Sequence, residues 1–324
     1  MKKAFITGIS GQDGSYLAEI LLEKGYEVHG LIRPASQKKD RPWRIQSIHD
    51  RVTLHTGEIE NATRLESILK TLQPDECYHL AAESFAGSQG EQDVTLLQVN
   101  VGGTHHLLSA LTSAVPGCRF FFAGSSEMFG AAEVAPQTET TAFHPRSVYG
   151  ESKVKGHNLI CQFREDHRLF ACTGFLYNHE SPRRGMRFVT RKITATAAKI
   201  KLGMETELRL GNVEAERDWG FAGDYAQAMH ACLNYTETPE DFIIATGRTH
   251  TVRELVSLAF GELDLNYESH LVIDPEFFRP KETIPLVGDA SKAKLQLGWQ
   301  PRKSFEDMIK EMVRSDLDYF SDLL

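Results

Sequence analysis

A glycine-punctuated turn near the N-terminus constrains this chain more than any other feature. The apolar run Lys3 to Thr7 leads straight into Gly8-Ile9-Ser10-Gly11-Gln12-Asp13-Gly14, and a helical pattern from Gly14 to Lys24 follows at once. That order reads as strand, turn, helix. Glycines in such a turn let the backbone bend tightly and approach a diphosphate, whose charge the helix N-terminus favours. The spacing is Gly-x-x-Gly-x-x-Gly, and glycines alone would also serve a purely structural turn. The flanking strand and helix make Gly8, Gly11 and Gly14, with Gln12 and Asp13 between them, a candidate dinucleotide site.

The pattern then repeats. Strands are expected at Glu27 to Ile32, Val52 to His55, Glu76 to Leu80, Arg119 to Ala123 and Phe170 to Tyr177. Helices are expected around Asn61 to Leu72 (Asn61 capping, Pro74 stopping it), Val94 to Ala114 and Ser147 to His167. Strands alternating with helices imply an α/β protein with a doubly wound parallel sheet of Rossmann type. After residue 180 the elements shorten and arginines and prolines multiply. Residues 1–180 are therefore read as the nucleotide-binding domain. Residues 181–324 are read as a smaller, mixed substrate-binding part over the sheet's carboxyl edge, with a strand near 242–245 returning to the sheet. The polar, basic stretch Pro34 to Arg44 reads as a loop.

The end of the second strand bears on the cofactor. Arg33 lies 19 residues (33 − 14) after Gly14, where an acidic residue would bind the ribose of NAD, and no Asp or Glu stands beside it. A guanidinium there suits a 2′-phosphate, so NADP is expected; a solvated residue leading into the loop is the alternative.

The reactive groups follow the fifth strand. Tyr149 and Lys153 stand at i and i+4, on one helix face and about 6 Å apart along the axis. The ammonium is expected to lower the phenol's pKa, so that Tyr149 serves as base toward a carbinol while hydride leaves the same carbon. Ser125 can hydrogen-bond that oxygen. Glu127 lies 22 positions (149 − 127) before Tyr149 and suits removal of a carbon-bound proton next to the resulting ketone. Together these groups point to elimination of water from an oxidised sugar. Blander readings are a helix cap for Ser126 and a solvated turn for Glu127.

Composition narrows the partners. A formal net charge of −8 and a pI of about 5.9 argue against nucleic acid. No run of 18 or more apolar residues suggests a membrane span. Five scattered cysteines without a Cys-x-x-Cys favour reduced, mostly buried thiols over disulfides or a metal, hence a cytoplasmic protein with no metal site. An anionic ligand would need locally concentrated basic groups, and Arg183 to Lys192 is read as such a cluster.

At these residues the sequence resembles the extended short-chain dehydrogenase/reductase family and, within it, the GDP-mannose 4,6-dehydratases. The similarity runs nearly end to end. It is carried by the opening Thr7 to Leu17, by Ser126-Glu127-Met128-Phe129-Gly130 and by Pro145-Arg146-Ser147-Val148-Tyr149-Gly150. More specific are Asn178-His179-Glu180-Ser181-Pro182-Arg183-Arg184-Gly185, Phe188-Val189-Thr190-Arg191-Lys192, Arg217-Asp218-Trp219-Gly220 and Phe278-Arg279-Pro280-Lys281-Glu282.

The resemblance implies roles. Ser125, Glu127, Tyr149 and Lys153 would be catalytic. Glu58, Ile59, Leu80, Ala81, Ala82, Ser84, His179 and Arg184 would join the glycine loop, Arg33, Tyr149 and Lys153 around NADP. Ser84, Ser125, Ser126, Glu127 and Asn178 would face the GDP-sugar. Val189 and Lys192 would line its guanosine pocket, Arg217 and Arg279 would pair with its diphosphate, and Glu282 would accept from its ribose. The helices from Val94 and Ser147 would pair across a dyad, giving a homo-oligomer, dimer or tetramer.

The sequence departs from the family at four places. Ser125 stands where Thr is usual, and Arg33-Pro34-Ala35-Ser36 replaces Arg-Arg-Ser-Ser. Glu58-Ile59 replaces Asp-Leu or Asp-Met, and Ala82-Glu83-Ser84 replaces Ala-Gln-Ser. The activity implied is conversion of GDP-mannose to GDP-4-keto-6-deoxymannose. The rival readings are a dehydratase for another GDP-sugar such as a GDP-heptose, a ketosugar reductase, and a non-catalytic nucleotide sensor.

Overall fold

The computed structural model describes residues 1–34, 43–83, 91–278 and 284–324. The first strand β1 (Lys3–Thr7) enters helix α1 (Gln12–Glu23), followed by β2 (Glu27–Ile32), β3 (Val52–Thr56), α2 (Ala62–Leu72) and β4 (Glu76–His79). Helix α3 (Glu91–Leu97) runs through a π turn (Gln98–Gly102) into α4 (Gly103–Ala114), and then come β5 (Arg119–Ala123), α5 (Val148–His167) and β6 (Ala171–Leu176). Their seven-stranded sheet, order β11-β6-β5-β4-β1-β2-β3, is parallel throughout and includes β11 (Phe242–Ile244). The connection reverses between β1 and β4, which is where ligands bind in such sheets.

The alternation of side chains along each strand explains the two layers. On β1, Ala4 and Ile6 face a core built with Leu17, Ala18 and Leu21 of α1, while Phe5 faces a core with Leu65, Ile68 and Leu69 of α2. On β5, Phe121 joins the first core and Phe120 and Phe122 the second. A strand buried on both faces must be apolar at every position, and this is why these runs are continuous in the sequence. Asn61 caps α2 as expected, its side chain accepting from the Arg64 N–H at 3.0 Å, a contact typically worth about 1 kcal/mol.

Beyond β6 lie β7 (Asn178–Glu180), α6 (Val189–Lys201), β8 (Leu208–Leu210), β9 (Glu216–Arg217), β10 (Trp219–Phe221) and α7 (Ala222–Asn234). Helix α7 returns to pack on α1 and the sheet, whereas α6 joins helices 252–261 and 305–321 in a separate core around Ile193, Phe260 and Met312. Strand β10 pairs with β7, placing Gly220 beside His179.

Candidate active site

Four chain segments meet beyond the carboxyl ends of β1, β4, β5 and β6. Gly8 sits at φ +77°, and a Cβ there would lie 2.9 Å from the Ala81 nitrogen. A side chain at this position would therefore be strained and would fill the groove between the β1 and β4 ends. At Gly14 a Cβ would come within 2.3 Å of the Gly8 carbonyl oxygen, so only glycine lets the helix start this close to the strand. No side chain caps α1 at Gly11, which leaves its first N–H groups suited to an anion. Leu80, Ala81 and Ala82 line the β4 side and are half-buried. Arg33 is exposed just past β2, and Glu58 is exposed past β3; Ile59 is buried in the core beside Gly103.

The loop is tied to β7. Gln12 Nε2 donates to the His179 carbonyl at 3.0 Å, and the Ser181 hydroxyl donates to Gln12 Oε1 at 2.9 Å. Asp13 Oδ2 lies 3.0 Å from His179 Nε2, and the imidazole stacks on Tyr225 with ring centroids 4.7 Å apart. Burial acts upward on the Asp13 carboxyl, but the charge and hydrogen bond of His179 hold it down at about 2. Burial acts downward on His179, and Asp13 outweighs it, so the imidazole sits above its usual range.

The expected reactive groups come together. Ser147 caps α5, accepting from the Gly150 N–H at 3.0 Å, and this places Tyr149 in the first turn. Gly150 allows the close approach: a Cβ there would be 2.5 Å from the Glu127 carbonyl oxygen. Ser125, rather than Ser126, serves as a cap, accepting from the Glu127 N–H at 3.2 Å at the head of the short turn Ser126–Met128. Burial pushes the Tyr149 phenol up to about 12; a hydrogen bond with Ser125 and the Arg184 charge act downward, and the carboxylates of Glu127 and Asp13 act upward.

Lys153 departs from expectation. Its Nζ donates to the Ala123 carbonyl at 2.8 Å and lies 5.7 Å from the Tyr149 ring centroid. Burial brings the ammonium down to about 8, with Asp13 acting upward. Desolvation dominates both groups, so the Tyr149 phenol stands above its ordinary value rather than below it.

The residues expected on the substrate side lie mostly in the second half of the chain. Asn178 opens β7, half-buried, and Arg217 ends β9, donating to the Glu216 carbonyl at 2.6 Å. Val189 is exposed at the start of α6, while Lys192 donates to the Arg209 carbonyl at 2.7 Å and lies 4.3 Å from the Phe277 ring centroid. Lys192 and Phe277 line a cavity of about 440 Å³ with Thr196, Glu205, Thr206, Glu207 and Arg209. Ser84, Arg279 and Glu282 lie outside the described residues.

The basic cluster from Arg183 to Lys192 divides into structural and site-side members. Arg183 pairs with Glu19 at 2.8 Å and Arg191 with the buried Asp316 at 2.5 Å, so these two guanidiniums hold the fold together. Arg184 lies 3.0 Å from Glu180 and over the Phe188 ring.

One participant was not foreseen. Asn100, in the π turn, accepts from the Glu83 N–H at 2.8 Å and donates to the Glu83 carbonyl and to Ser152 Oγ, both at 3.0 Å; Ser152 in turn donates to the Tyr149 carbonyl at 2.7 Å. Thr104, His79 and Thr7 continue this buried chain to the end of β1. Its one sequence signal is a polar residue followed by Gly102-Gly103 inside a helical pattern, and π turns of this kind recur at functional sites. Among the described residues, His157, Cys161 and Asp241 bring three possible metal donors within 4.8 Å, but Asp241 is already paired with Arg164.

The family described as GDP-mannose 4,6 dehydratase matches residues 5–312. GDP-mannose 4,6 dehydratase 1 of Arabidopsis thaliana is 47% identical over 329 residues, covering 98% of this chain and 90% of its own. The GDP-mannose 4,6 dehydratase of Homo sapiens is 41% identical over 340 residues, covering 97% and 91%. Among solved structures, the dTDP-glucose 4,6-dehydratase of Bacillus anthracis in complex with NAD superposes with a TM-score of 0.83 at 21% identity, covering 97% and 96%, which establishes the shared fold.

Proposed function

The chain belongs to the GDP-mannose 4,6-dehydratase family, and from that premise we propose that it is an NADP-dependent lyase converting GDP-mannose to GDP-4-keto-6-deoxymannose. One set of contacts supports the reading: Ser125 accepts from the Glu127 N–H, the Glu127 carbonyl lies against Gly150 next to Tyr149, and Lys153 Nζ is 5.7 Å from the Tyr149 ring centroid. A simple oxidoreductase has no use for Glu127.

The cradle fits a dinucleotide, since a Cβ at Gly8 would crowd the groove toward Ala81 and one at Gly14 would push the helix start away from the strand. Gly8, Gly11, Gln12, Asp13 and Gly14 would hold the diphosphate side. Glu58, Ile59, Leu80, Ala81, Ala82 and Ser84 would border the adenosine and nicotinamide halves, with His179 and Arg184 opposite. Arg33, exposed and with no Asp or Glu beside it in the sequence, supports NADP over NAD. Bound NADP supplies the hydride acceptor and donor, and its cationic nicotinamide favours the phenolate.

Tyr149 then accepts the proton of the sugar's C4 hydroxyl, with Ser125 hydrogen-bonding the same oxygen. The C4 ketone acidifies the C5 hydrogen. Glu127 removes that proton and gives it to the departing C6 hydroxyl, which leaves as water; the hydride taken from C4 would return to C6, and the proton held by Tyr149 would go to C5. Lys153, held on the Ala123 carbonyl, orients the site at the foot of Tyr149. Ser84, Ser126 and Asn178 would contact the sugar, Arg217 and Arg279 the diphosphate, and Val189, Lys192 and Glu282 the guanosine. In this division residues 1–180 chiefly hold NADP and 181–324 the GDP-sugar. The helices ending in Ala114 and His167 would form the contact of a cytoplasmic homo-oligomer.

The test is incubation of purified protein with GDP-mannose and NADP, followed by mass spectrometry. Loss of one water, with total NADP intact and little NADPH accumulating, is the expected result. Binding of GDP-mannose without loss of water would reject it.

A further inference from the structure

His79 is a buried imidazole that the reaction above does not use. It ends β4 at 2% exposure, its ring tilted against Phe120 and Phe122 with centroids 6.1 and 5.9 Å away. Its Nδ1 lies 2.8 Å from the Thr7 hydroxyl and its Nε2 3.0 Å from the Thr104 hydroxyl, and both threonines are fully buried. A histidine engaged at both nitrogens has neither a lone pair nor a proton left for a substrate. Its use lies in what it joins.

The neighbours fix the direction of every bond. Thr104 Oγ1 stands 2.5 Å from the Asn100 carbonyl, which can only accept, so the Thr104 hydroxyl proton points there. Toward His79 the same oxygen therefore accepts, and Nε2 carries the ring proton. At the other end the Ala81 N–H donates to Thr7 Oγ1 at 3.2 Å, which leaves the Thr7 hydroxyl proton for the Nδ1 lone pair. The imidazole is thus neutral, in the Nε2–H form. Burial acts the same way, bringing its pKa down to about 3 with help from the Lys153 charge. One unbroken run of hydrogen bonds results, from the Ala81 amide through Thr7, His79 and Thr104 to the Asn100 carbonyl.

The two ends of this run lie at different parts of the site. The Ala81 nitrogen belongs to the cradle wall, 2.9 Å from where a Cβ on Gly8 would sit. Asn100 lies in the π turn, where its side chain holds the Glu83 backbone and Ser152 beside the first turn of α5. Hydrogen bonds aligned in one direction polarise one another, so losing one link weakens the rest.

We infer that His79 is a positioning residue that couples the glycine cradle to the π turn, so that the wall facing NADP and the Asn100 clamp beside Tyr149 hold one arrangement together. The inference rests on the reading of the cradle as the NADP site. Among the described residues, the Thr104 hydroxyl bonds only His79 and Asn100. An effect of Thr104 on NADP binding therefore has to pass through His79.

The experiment is a double-mutant cycle on the full-length protein with Thr7→Val, Thr104→Val and the pair, repeated in the His79→Leu protein. The readouts are the Kd for NADP by fluorescence quenching and, at saturating NADP, the rate of the first NADPH transient. Thr104→Val should weaken NADP binding several-fold, and the pair should bind no more weakly than Thr7→Val alone. In the His79→Leu protein, adding Thr104→Val should change nothing further. His79→Gln, whose amide can accept from Thr7 and donate to Thr104, should recover most of the affinity that His79→Leu loses. Unchanged NADP affinity in Thr104→Val, effects that add in the pair, or a His79→Gln protein as weak as His79→Leu would overturn the inference, even if the melting temperature falls. Wild-type protein that binds NADP without turnover would instead count against the functional reading, and the Kd cycle would still decide this one. Wild-type protein that binds no NADP would reject the cradle reading and this inference with it.

Discussion

Lys153→Met should make the unliganded protein no less stable at neutral pH while abolishing its chemistry. Lys153 is 4% exposed, and burial takes its pKa from an ordinary 10.5 to about 8. Holding that ammonium in place therefore costs the folded state about 3 kcal/mol. Methionine fills a similar volume without charge. Against this gain stands the Ala123 carbonyl, which loses its 2.8 Å partner, at a cost of about 1–3 kcal/mol. The variant should thus lie between equal stability and about 2 kcal/mol more stable at neutral pH.

The pH dependence makes the argument specific. Between about 8 and 10.5 the unfolded chain still binds the lysine proton while the folded chain has released it, so wild-type stability rises with pH across that window. The penalty is present in full below about 8 and gone above 10.5. The variant's advantage should accordingly shrink by about 3 kcal/mol across that window, ending with the wild type the more stable. Urea unfolding of both proteins at several pH values measures the difference, and other titrating groups cancel in the subtraction. A variant that is less stable at neutral pH, with no slope in the difference, would refute the reasoning.

Glu127→Gln should still oxidise C4, seen as a transient rise in NADPH absorbance, yet release no dehydrated product; Tyr149→Phe should slow even that first transient by roughly 10²–10⁴-fold. Arg33→Ala should weaken NADP binding about tenfold while leaving NAD affinity unchanged, measured by fluorescence titration of each cofactor. Asp316→Ala strands the buried Arg191 guanidinium and should destabilise the protein by about 3–5 kcal/mol in urea unfolding, without altering Tyr149 chemistry in the molecules that remain folded.

Local patterns were legible where the chain itself enforces them. Strands buried on both faces are mostly apolar, so β1, β5 and β6 stand out, and the turn at Gly8 requires a residue that tolerates φ +77°. Tyr149 and Lys153 share a helix face because of helical spacing alone. What escaped the sequence depends on contacts between distant segments. Nothing near Arg191 reveals that Asp316, 125 positions later, neutralises it, so the basic run looked like a single binding surface. Nothing near Lys153 reveals the Ala123 carbonyl or the desolvation that lowers its pKa and raises that of Tyr149. The role of Asn100 depends on a π turn that carries its side chain to Glu83 and Ser152.

The central claim is that hydride leaves C4 and returns to C6 of the same sugar around a proton abstraction by Glu127. GDP-mannose carrying deuterium at C4 tests it in one reaction. The account predicts product with the deuterium in the C6 methyl group and no net change in NADP. Deuterium lost to the medium, or retained in accumulated reduced cofactor, would contradict it.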